Sequence, residues 1–316
     1  MTYPLVTIGI PTYNRADGFL RDAIQSALDQ SYKNVEIIVS DNCSSDNTSN
    51  LVNAFKDSRI QYYRHKVNIG ANNNFNFALN QAKGDFFHLL SDDDLIDPDF
   101  VETCIRAIPK SFNTGIILTG VRIIDENGHI LREVPNPSEG LSIYNFFKAW
   151  YDGKVPYYLC STLFNTKRLK ESGGFKSKTN LYQDVVAGFH LAAKYGRADV
   201  NSIKASFRVH SQNRGLAHKV EDWSEDSIFL IDSICKLIPD KKNDLKKIGM
   251  NALIRRCYRR ASTIQSTVKR FNTYFLVSKK FNHCYPAPRY LFDKRIKPKM
   301  QWSYIKNKSK RLLSLL

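Results

Sequence analysis

Four short apolar runs, each closed by a polar loop and separated from the next by a stretch of helical spacing, constrain this chain more than any single residue. Residues 5–10 (LVTIGI), 35–39 (VEIIV), 60–64 (IQYYR) and 85–90 (DFFHLL) are short and β-rich, which predicts strands. Between the first two, Phe19, Leu20, Ala23, Ile24, Ala27 and Leu28 recur at helical spacing over residues 19–30. Residues 48–55 read as a second helix, with Ser45 or Asp46 available to cap it, and residues 74–82 as a third. Strand and helix alternating at this spacing predict an α/β fold with a mainly parallel sheet flanked by helices. Ligands of such sheets bind beyond the carboxyl ends of the strands, so the chemistry is expected in loops 11–15, 40–47, 67–76 and 91–97. Farther on the pattern loosens, with strands expected at 115–121 and 158–164 and a helix at 184–195. After residue 221 the chain reads as helical.

The net charge of +17 is not spread evenly. Residues 236–316 hold 22 basic and 3 acidic side chains, leaving 25 basic and 27 acidic ones for residues 1–235. A near-neutral body, expected as a unit over residues 1–220, therefore carries a helical extension over 221–316 that is basic and amphipathic from about 236. The 316 residues hold 42% hydrophobic side chains, which excludes wholesale disorder. Six cysteines form no C-x-x-C pair, which argues against a zinc ribbon or a dense disulfide framework and for free thiols in a reducing cytosol. The first residues lack a signal-peptide pattern, and no run reaches the roughly 18 apolar residues of a membrane span.

The loop after the fourth strand is acidic: Asp92, Asp93, Asp94 and Asp97 within six residues. Clustered carboxylates repel each other unless a cation joins them, and hard oxygen donors suit Mg²⁺ or Mn²⁺. A solvated turn with Asp97 capping the next helix is the alternative. The loop at 40–48 carries Asp41, Asn42, Ser44 and Asp46, whose side chains suit a nucleobase N–H, a ribose hydroxyl, or plain turn chemistry. Asn68 and Gly70 supply a third polar turn at the same edge.

Pro11-Thr12-Tyr13-Asn14-Arg15, Asp41-Asn42-x-Ser44-x-Asp46-x-Thr48, Asn68-x-Gly70 with Asn76, and Asp92-Asp93-Asp94 with Pro98-Asp99 occur in this order. They are followed by Glu171-Ser-Gly-Gly-Phe175, Gln183-Asp184 and Arg208-Val-His210. Together, over roughly residues 4–215, they resemble the ordered motifs of family 2 glycosyltransferases, inverting sugar-nucleotide enzymes of the Rossmann-like GT-A fold. The resemblance implies that Pro11, Thr12, Tyr13 and Asn14 border the nucleotide, that Asp41 and Asn42 read base and ribose, and that Asn68, Gly70 and Asn76 complete the donor site. It places Asp92 near the ribose, and Asp93, Asp94 and His210 on a Mn²⁺ or Mg²⁺ ion. Asp184 matches the catalytic residue. The chain departs from the family pattern in three places: Asn42 stands where a second acid is usual, Ser91 where the metal triplet begins with an acid, and Phe75 where an arginine is frequent.

Inversion needs a base on the face opposite the leaving nucleotide, and a carboxylate at a helix N-terminus stays ionised there; capping alone would also place an Asp at 184. The expected activity is transfer of a hexosyl or deoxyhexosyl group from a nucleotide-diphosphate sugar to a glycan or polyprenyl-linked saccharide, in surface polysaccharide (O-antigen or capsule-like) biosynthesis. Trp150, Tyr151, Tyr157 and Tyr158 are candidates to stack on an acceptor sugar, or to fill the core. In the basic quarter, residues 253–275 read as one amphipathic helix with Arg255, Arg256, Arg259 and Arg260 off its apolar arc, and residues 290–316 interleave basic with aromatic and aliphatic side chains. That composition suits peripheral contact with an anionic membrane at the inner, cytoplasmic face; a helical extension packed on the body is the alternative. Two other classes are a non-catalytic sugar-nucleotide-binding scaffold and a nucleic-acid-binding protein, the second without any recognised nucleic-acid module beside its basic patch.

Overall fold

The structure is a computed structural model and describes residues 4–109, 114–211, 218–285 and 287. Strands β1 (Val6–Thr12), β2 (Val35–Asp41), β3 (Ile60–Arg64) and β4 (Phe86–Leu89) run parallel in the spatial order β3-β2-β1-β4. Helices α1 (Leu20–Leu28), α2 (Thr48–Ala54) and α3 (Ala71–Gln81) make the crossovers, as parallel neighbours require. The third begins a turn earlier than its sequence spacing predicts. Asp46 accepts from the Thr48 amide at 3.0 Å and so serves the first turn of α2.

Beyond β4 the sheet becomes mixed. It continues through β8 (Thr162–Asn165), β6 (Ile116–Ile124), β9 (Arg197–Arg208) and the short β5 (Leu95–Ile96), with β7 (Ile130–Val134) paired to β6. β8 is antiparallel to both β4 and β6, while β9 is parallel to β6. Two differences from the sequence reading stand out. The strand expected at 158–164 starts at Thr162, because Leu159–Ser161 form a 3-10 turn. β9 and β7 carry polar, half-exposed residues, so neither shows an apolar run.

Strands β1, β2 and β4 are buried on both faces, while the edge strand β3 is only half-buried. Val6, Ile8, Ile10, Ile37 and Val39 lie in one apolar cluster; Ile38, Phe87 and Leu89 lie in the other. That two-sided burial is why β1, β2 and β4 read as largely apolar runs. The second cluster runs without interruption into the helical extension. It joins α5 (Ile143–Tyr151), α6 (Thr166–Glu171) and α7 (Gln183–Tyr195) to α8 (Val220–Leu237), α9 (Lys242–Ala261) and α10 (Thr267–Lys280), while α4 (Phe100–Arg106) packs in the first cluster.

Two expectations are corrected here. The single helix over 253–275 is broken: α9 ends at Ala261, and α10 starts anew behind Ser266, whose hydroxyl accepts from the Lys269 amide at 3.3 Å. Two of the α9 arginines, Arg256 and Arg260, read from sequence as lying off the apolar arc, stack on aromatic rings of the body. The Arg260 guanidinium lies 3.7 Å from the Trp223 ring centroid, and that of Arg256 lies 4.4 Å from that of Trp150 and donates to the Trp150 carbonyl. A guanidinium stacked on an aromatic face is attracted to it when water is displaced, so burial of these cations is compatible with a packed core. Trp150, Tyr151 and Tyr157 are buried, and Tyr158 packs against Phe207. They fill the core rather than presenting rings to a sugar. The stretch 290–316 lies outside the described residues.

Candidate active site

The order β3-β2-β1-β4 places a topological switch between β1 and β4, where a parallel sheet opens a ligand crevice. The loops after β1, β2 and β4 meet there. Pro11 and Thr12 end β1, paired with Ser40 and Asp41. Tyr13 is 46% exposed at the rim. Asn14 adopts a left-handed conformation (φ 53°), which its amide tolerates. Its backbone N–H donates to the Ser44 hydroxyl and its side-chain carbonyl accepts from the Ser45 amide, both at 2.8 Å.

The polar residues of loops two and three hold the edge together. Asp41 is fully buried; it accepts from the Ser44 amide at 2.8 Å and from the Tyr62 hydroxyl at 2.6 Å. The Asn42 side chain donates to Asn68 Oδ1 and accepts from the Ile69 amide, both at 2.8 Å. Gly70, at φ 82°, precedes α3 with open space where a Cβ would stand. Asn76 does not join this group. Its amide accepts from the Phe175 N–H and donates to the Phe175 carbonyl, both at 2.8 Å. A Cβ on Gly174 would meet Asn76 Oδ1 at 2.3 Å. Two motifs 99 residues apart are thus one latch between α3 and the Gly-Gly-Phe turn.

The acidic turn is clasped by the end of β9. The Arg208 amide donates to Asp94 Oδ1 and its Nε to the Asp93 carbonyl, both at 2.9 Å, while its guanidinium lies over the Phe19 ring. His210 Nε2 sits 2.8 Å from Asp93 Oδ2. Asp92 and Asp93 keep 13% of their side-chain surface exposed; Asp94 is buried. Burial and the neighbouring Asp93 push the Asp92 carboxyl up to about 7, against the Thr12 hydroxyl, the Arg15 charge and the Tyr13 amide, which favour its anion. The same two causes hold Asp94 well above the usual carboxylate range.

Among the described residues no three of His, Cys, Asp and Glu form a preformed metal cage. The donor set nevertheless fits a hard cation. Two partly exposed carboxylates disfavour each other's charge, and an imidazole faces one of them; Mg²⁺ and Mn²⁺ take few protein oxygens and fill their shell with water and phosphate. Asp94, expected among the metal ligands, is instead committed to the Arg208 amide inside the protein.

Asp184 lies in the first turn of α7, partly exposed. The Tyr157 hydroxyl donates to its carbonyl at 3.1 Å, and Gly188 makes room for that ring: a Cβ there would stand 1.7 Å from the Tyr157 oxygen. Three residues on, Cys160 presents its thiol to Asp94. One short segment, 157–160, therefore touches both the acidic turn and the turn that carries Asp184. The loop entering α7 is held from behind. Asp226, fully buried on α8, accepts from the Ser177 hydroxyl at 2.7 Å and from the amides of Thr179, Leu181 and Tyr182 at 3.0, 2.8 and 2.6 Å.

Sequence reasoning gave Arg208 and Asp226 no site role of their own, and it named Tyr157 only as a candidate to stack on an acceptor sugar or to fill the core. The Arg-Val-His motif contains Arg208. Nothing local distinguishes Tyr157 and Asp226 from a core tyrosine and a surface acid.

Comparison with known proteins matches residues 7–170 to the family described as Glycosyl transferase family 2. A glycosyltransferase of Rickettsia felis is 33% identical over 239 residues, which cover 73% of this chain and 38% of that protein. The chain likewise spans 19% and 40% of the length of two further Rickettsia relatives. The Campylobacter jejuni GalNAc(5)-diNAcBac-PP-undecaprenol beta-1,3-glucosyltransferase is 29% identical over 237 residues, covering 69% of this chain and 75% of its own. In fold, the chain is similar to Staphylococcus aureus TarS 1-349 solved with UDP (TM-score 0.65, 16% identity, 89% of this chain and 81% of that one). It is also similar to a Pyrobaculum calidifontis mannosyltransferase solved with GDP-Man and Mn²⁺ (TM-score 0.53, 18% identity, 93% and 89%). A match over half its length, on a sheet whose switch point gathers the family's motifs, makes this chain a member of glycosyltransferase family 2 with the GT-A fold and a basic, helical C-terminal extension.

Proposed function

We propose that this glycosyltransferase is an inverting enzyme that moves a hexosyl or deoxyhexosyl group from a nucleotide-diphosphate sugar to a hydroxyl of a glycan or polyprenyl-linked saccharide. Its role is surface polysaccharide biosynthesis, and it meets its acceptor at the inner face of an anionic membrane. The observation that carries the reading is the pairing of Asp93 with His210 at the switch point, linked through residues 157–160 to the turn bearing Asp184.

Loops one to three take the nucleotide. Tyr13 offers an exposed ring at the rim, while Asp41, Asn42 and Asn68 hold the loop backbones that line the base. Asp93 and His210 would hold a Mn²⁺ or Mg²⁺ ion, with Asp92 beside the ribose. When bound, such an ion neutralises charge on the departing diphosphate. Arg208 fixes the acidic turn through Asp93 and Asp94. Asp184 takes the proton from the acceptor hydroxyl as that oxygen attacks the anomeric carbon. The bond from that carbon to the diphosphate oxygen breaks on the opposite face, and the configuration inverts.

A binding screen of UDP-, GDP-, CDP- and dTDP-sugars, each with and without Mn²⁺, tests the reading. Metal-dependent binding of at least one donor is expected; binding of none of them would overturn the assignment. With that donor, Asp184→Asn should abolish transfer while leaving donor affinity unchanged. Near-normal turnover by the variant would remove Asp184 from the role of base.

A further inference from the structure

Eight large apolar side chains are exposed among the described residues, and four of them, Val268, Phe271, Phe275 and Leu276, lie on α10. Exposed apolar residues scattered singly need no explanation. These are not scattered. Positions 268, 271 and 275 follow three- and four-residue steps along one helical face, and 276 adjoins them. Val268 and Phe271 are each 73% exposed and Phe275 64%. The opposite face is committed, with Thr273, Tyr274, Val277 and Ser278 buried against α8 and α9. The ridge is therefore held outward by a packed helix.

The charges around the ridge select its partner. α10 carries Lys269, Arg270, Lys279 and Lys280 and no acid. Lys269 and Lys279 are exposed beside the ridge, whereas Lys280 is paired with Glu225 at 2.6 Å. The sequence beyond residue 287 adds nine basic residues against one acid, so the stretch of chain that follows α10 is cationic in composition. Aromatic and aliphatic side chains on one helical face, flanked by lysines, match the boundary between anionic headgroups and acyl chains.

We infer that the exposed face of α10, built on Phe271 and Phe275 with Val268, Leu276, Lys269 and Lys279, is the surface by which this protein docks on an anionic lipid bilayer. The inference rests on the membrane-facing part of the proposed function and relocates it. Arg256 and Arg260 of α9 stack on Trp150 and Trp223, and Arg255 lies over Tyr285, so the lipid contact is assigned to α10. Inserting two phenylalanines supplies the apolar share of the binding, and the lysines supply a share that weakens with salt.

The test uses the full chain and vesicles of phosphatidylcholine with and without phosphatidylglycerol, read by co-sedimentation at low and high salt. Binding is expected only with phosphatidylglycerol, and salt should weaken it. Phe271→Ser/Phe275→Ser should weaken it by roughly thirtyfold, and Lys269→Glu/Lys279→Glu by on the order of tenfold or more. Both pairs are exposed, so the melting temperature should not move. Three results would overturn the inference: no vesicle binding; a phenylalanine variant that binds as the parent does but melts lower, as when residues 288–316 cover the face; or a variant that turns a dimer into a monomer in light scattering, as when a second copy covers it. Sugar-nucleotide binding, measured on the same samples, reports on the enzyme and not on this face, so the two failures are distinguishable.

Discussion

Replacing Asp226 tests whether the helical extension serves the active site or only rides on it. Its carboxylate receives four donors from the loop leading to Asp184. Oδ2 takes the Ser177 hydroxyl and the Leu181 and Tyr182 amides; Oδ1 takes the Thr179 amide. Asp226→Ala removes the acceptor from all four. An orphaned buried donor costs about 1–3 kcal/mol, and three of these bonds are only partly buried, so water can relieve them. The lower end, applied to four donors, gives about 4 kcal/mol. Asp226→Asn is a graded control. Its one oxygen can stand at the Oδ2 position and keep three donors, leaving the Thr179 N–H to face an NH₂ group. That predicts a smaller loss of about 1–2 kcal/mol.

At roughly 2 °C per kcal/mol for a chain of this size, the alanine variant should melt about 8 °C below the parent and the asparagine variant about 2–4 °C below. If the loop opens locally before the whole protein unfolds, the loss appears in turnover instead. Asp184 would then be poorly placed, and a misplacement of about 1 Å can slow a step by roughly 10²-fold. The pattern is specific: kcat falls, the donor KM holds because loops one to three are untouched, and trypsin cuts faster at Lys176 or Lys178. Thermal unfolding, transfer kinetics and limited proteolysis on one set of samples separate the two routes. An alanine variant that melts within about 1 °C of the parent, turns over normally and resists trypsin as well would refute the latch.

Three further outcomes follow from other contacts. Gly188→Ala forces a methyl group into the Tyr157 hydroxyl; overpacking of this kind costs about 1–3 kcal/mol, and Tyr157→Leu in the same chain should recover part of the lost melting temperature. Buried His88, which hydrogen-bonds the Thr162 carbonyl, is depressed by burial to about 4 from 6.5. Its unfolded form takes up a proton first, so stability is unaffected above pH 6.5 and falls as pH drops toward 4, by about 3 kcal/mol in all. Chemical denaturation across that range should show a shallower slope for His88→Gln. Asn76→Ala unlatches α3 from Phe175 and should lower the melting temperature without weakening donor binding, whereas a lost donor site would assign Asn76 to the nucleotide after all.

The half of the fold up to β4 was legible because β1, β2 and β4 are buried on both faces and read as largely apolar runs, while the half-buried edge strand β3 still shows β-rich Ile and Tyr residues. β9 was not legible. Its central residues, Asn201 and Ser202, are exposed, and polar half-exposed strands carry no periodic signal, yet this strand brings Arg208 and His210 onto the acidic turn. The α9 arginines misled for a related reason. Charge on a helix is ordinarily solvated, and only the position of Trp150 and Trp223 makes an aromatic face the better partner. The break between α9 and α10 was hidden because the apolar spacing continues across it.

The site divides along the same line. The residues proposed to meet a ligand sit in loops or at a helix start, where their polarity stands out against the apolar runs nearby. Asp92, Asp93, Asp184 and His210 were proposed from sequence order alone. Residues that hold those loops in place come one from each of two distant elements: Asn76 with Phe175, Arg208 with Asp93 and Asp94, Asp226 with residues 177–182. Each is locally ordinary, and its role exists only in the pairing. Two of these three latches enter from the half of the chain where the sequence pattern is weakest, and the third is anchored on α8. Because α8 lies between the Asp184 loop and α10, the element proposed to touch the bilayer packs directly on the element that holds the proposed base. Substitutions on the exposed ridge of α10 should therefore alter where the enzyme resides and leave its turnover in solution intact, while substitutions on the buried side of α8 should alter turnover wherever it resides. A Phe271→Ser/Phe275→Ser chain with reduced activity toward a soluble acceptor would contradict that separation.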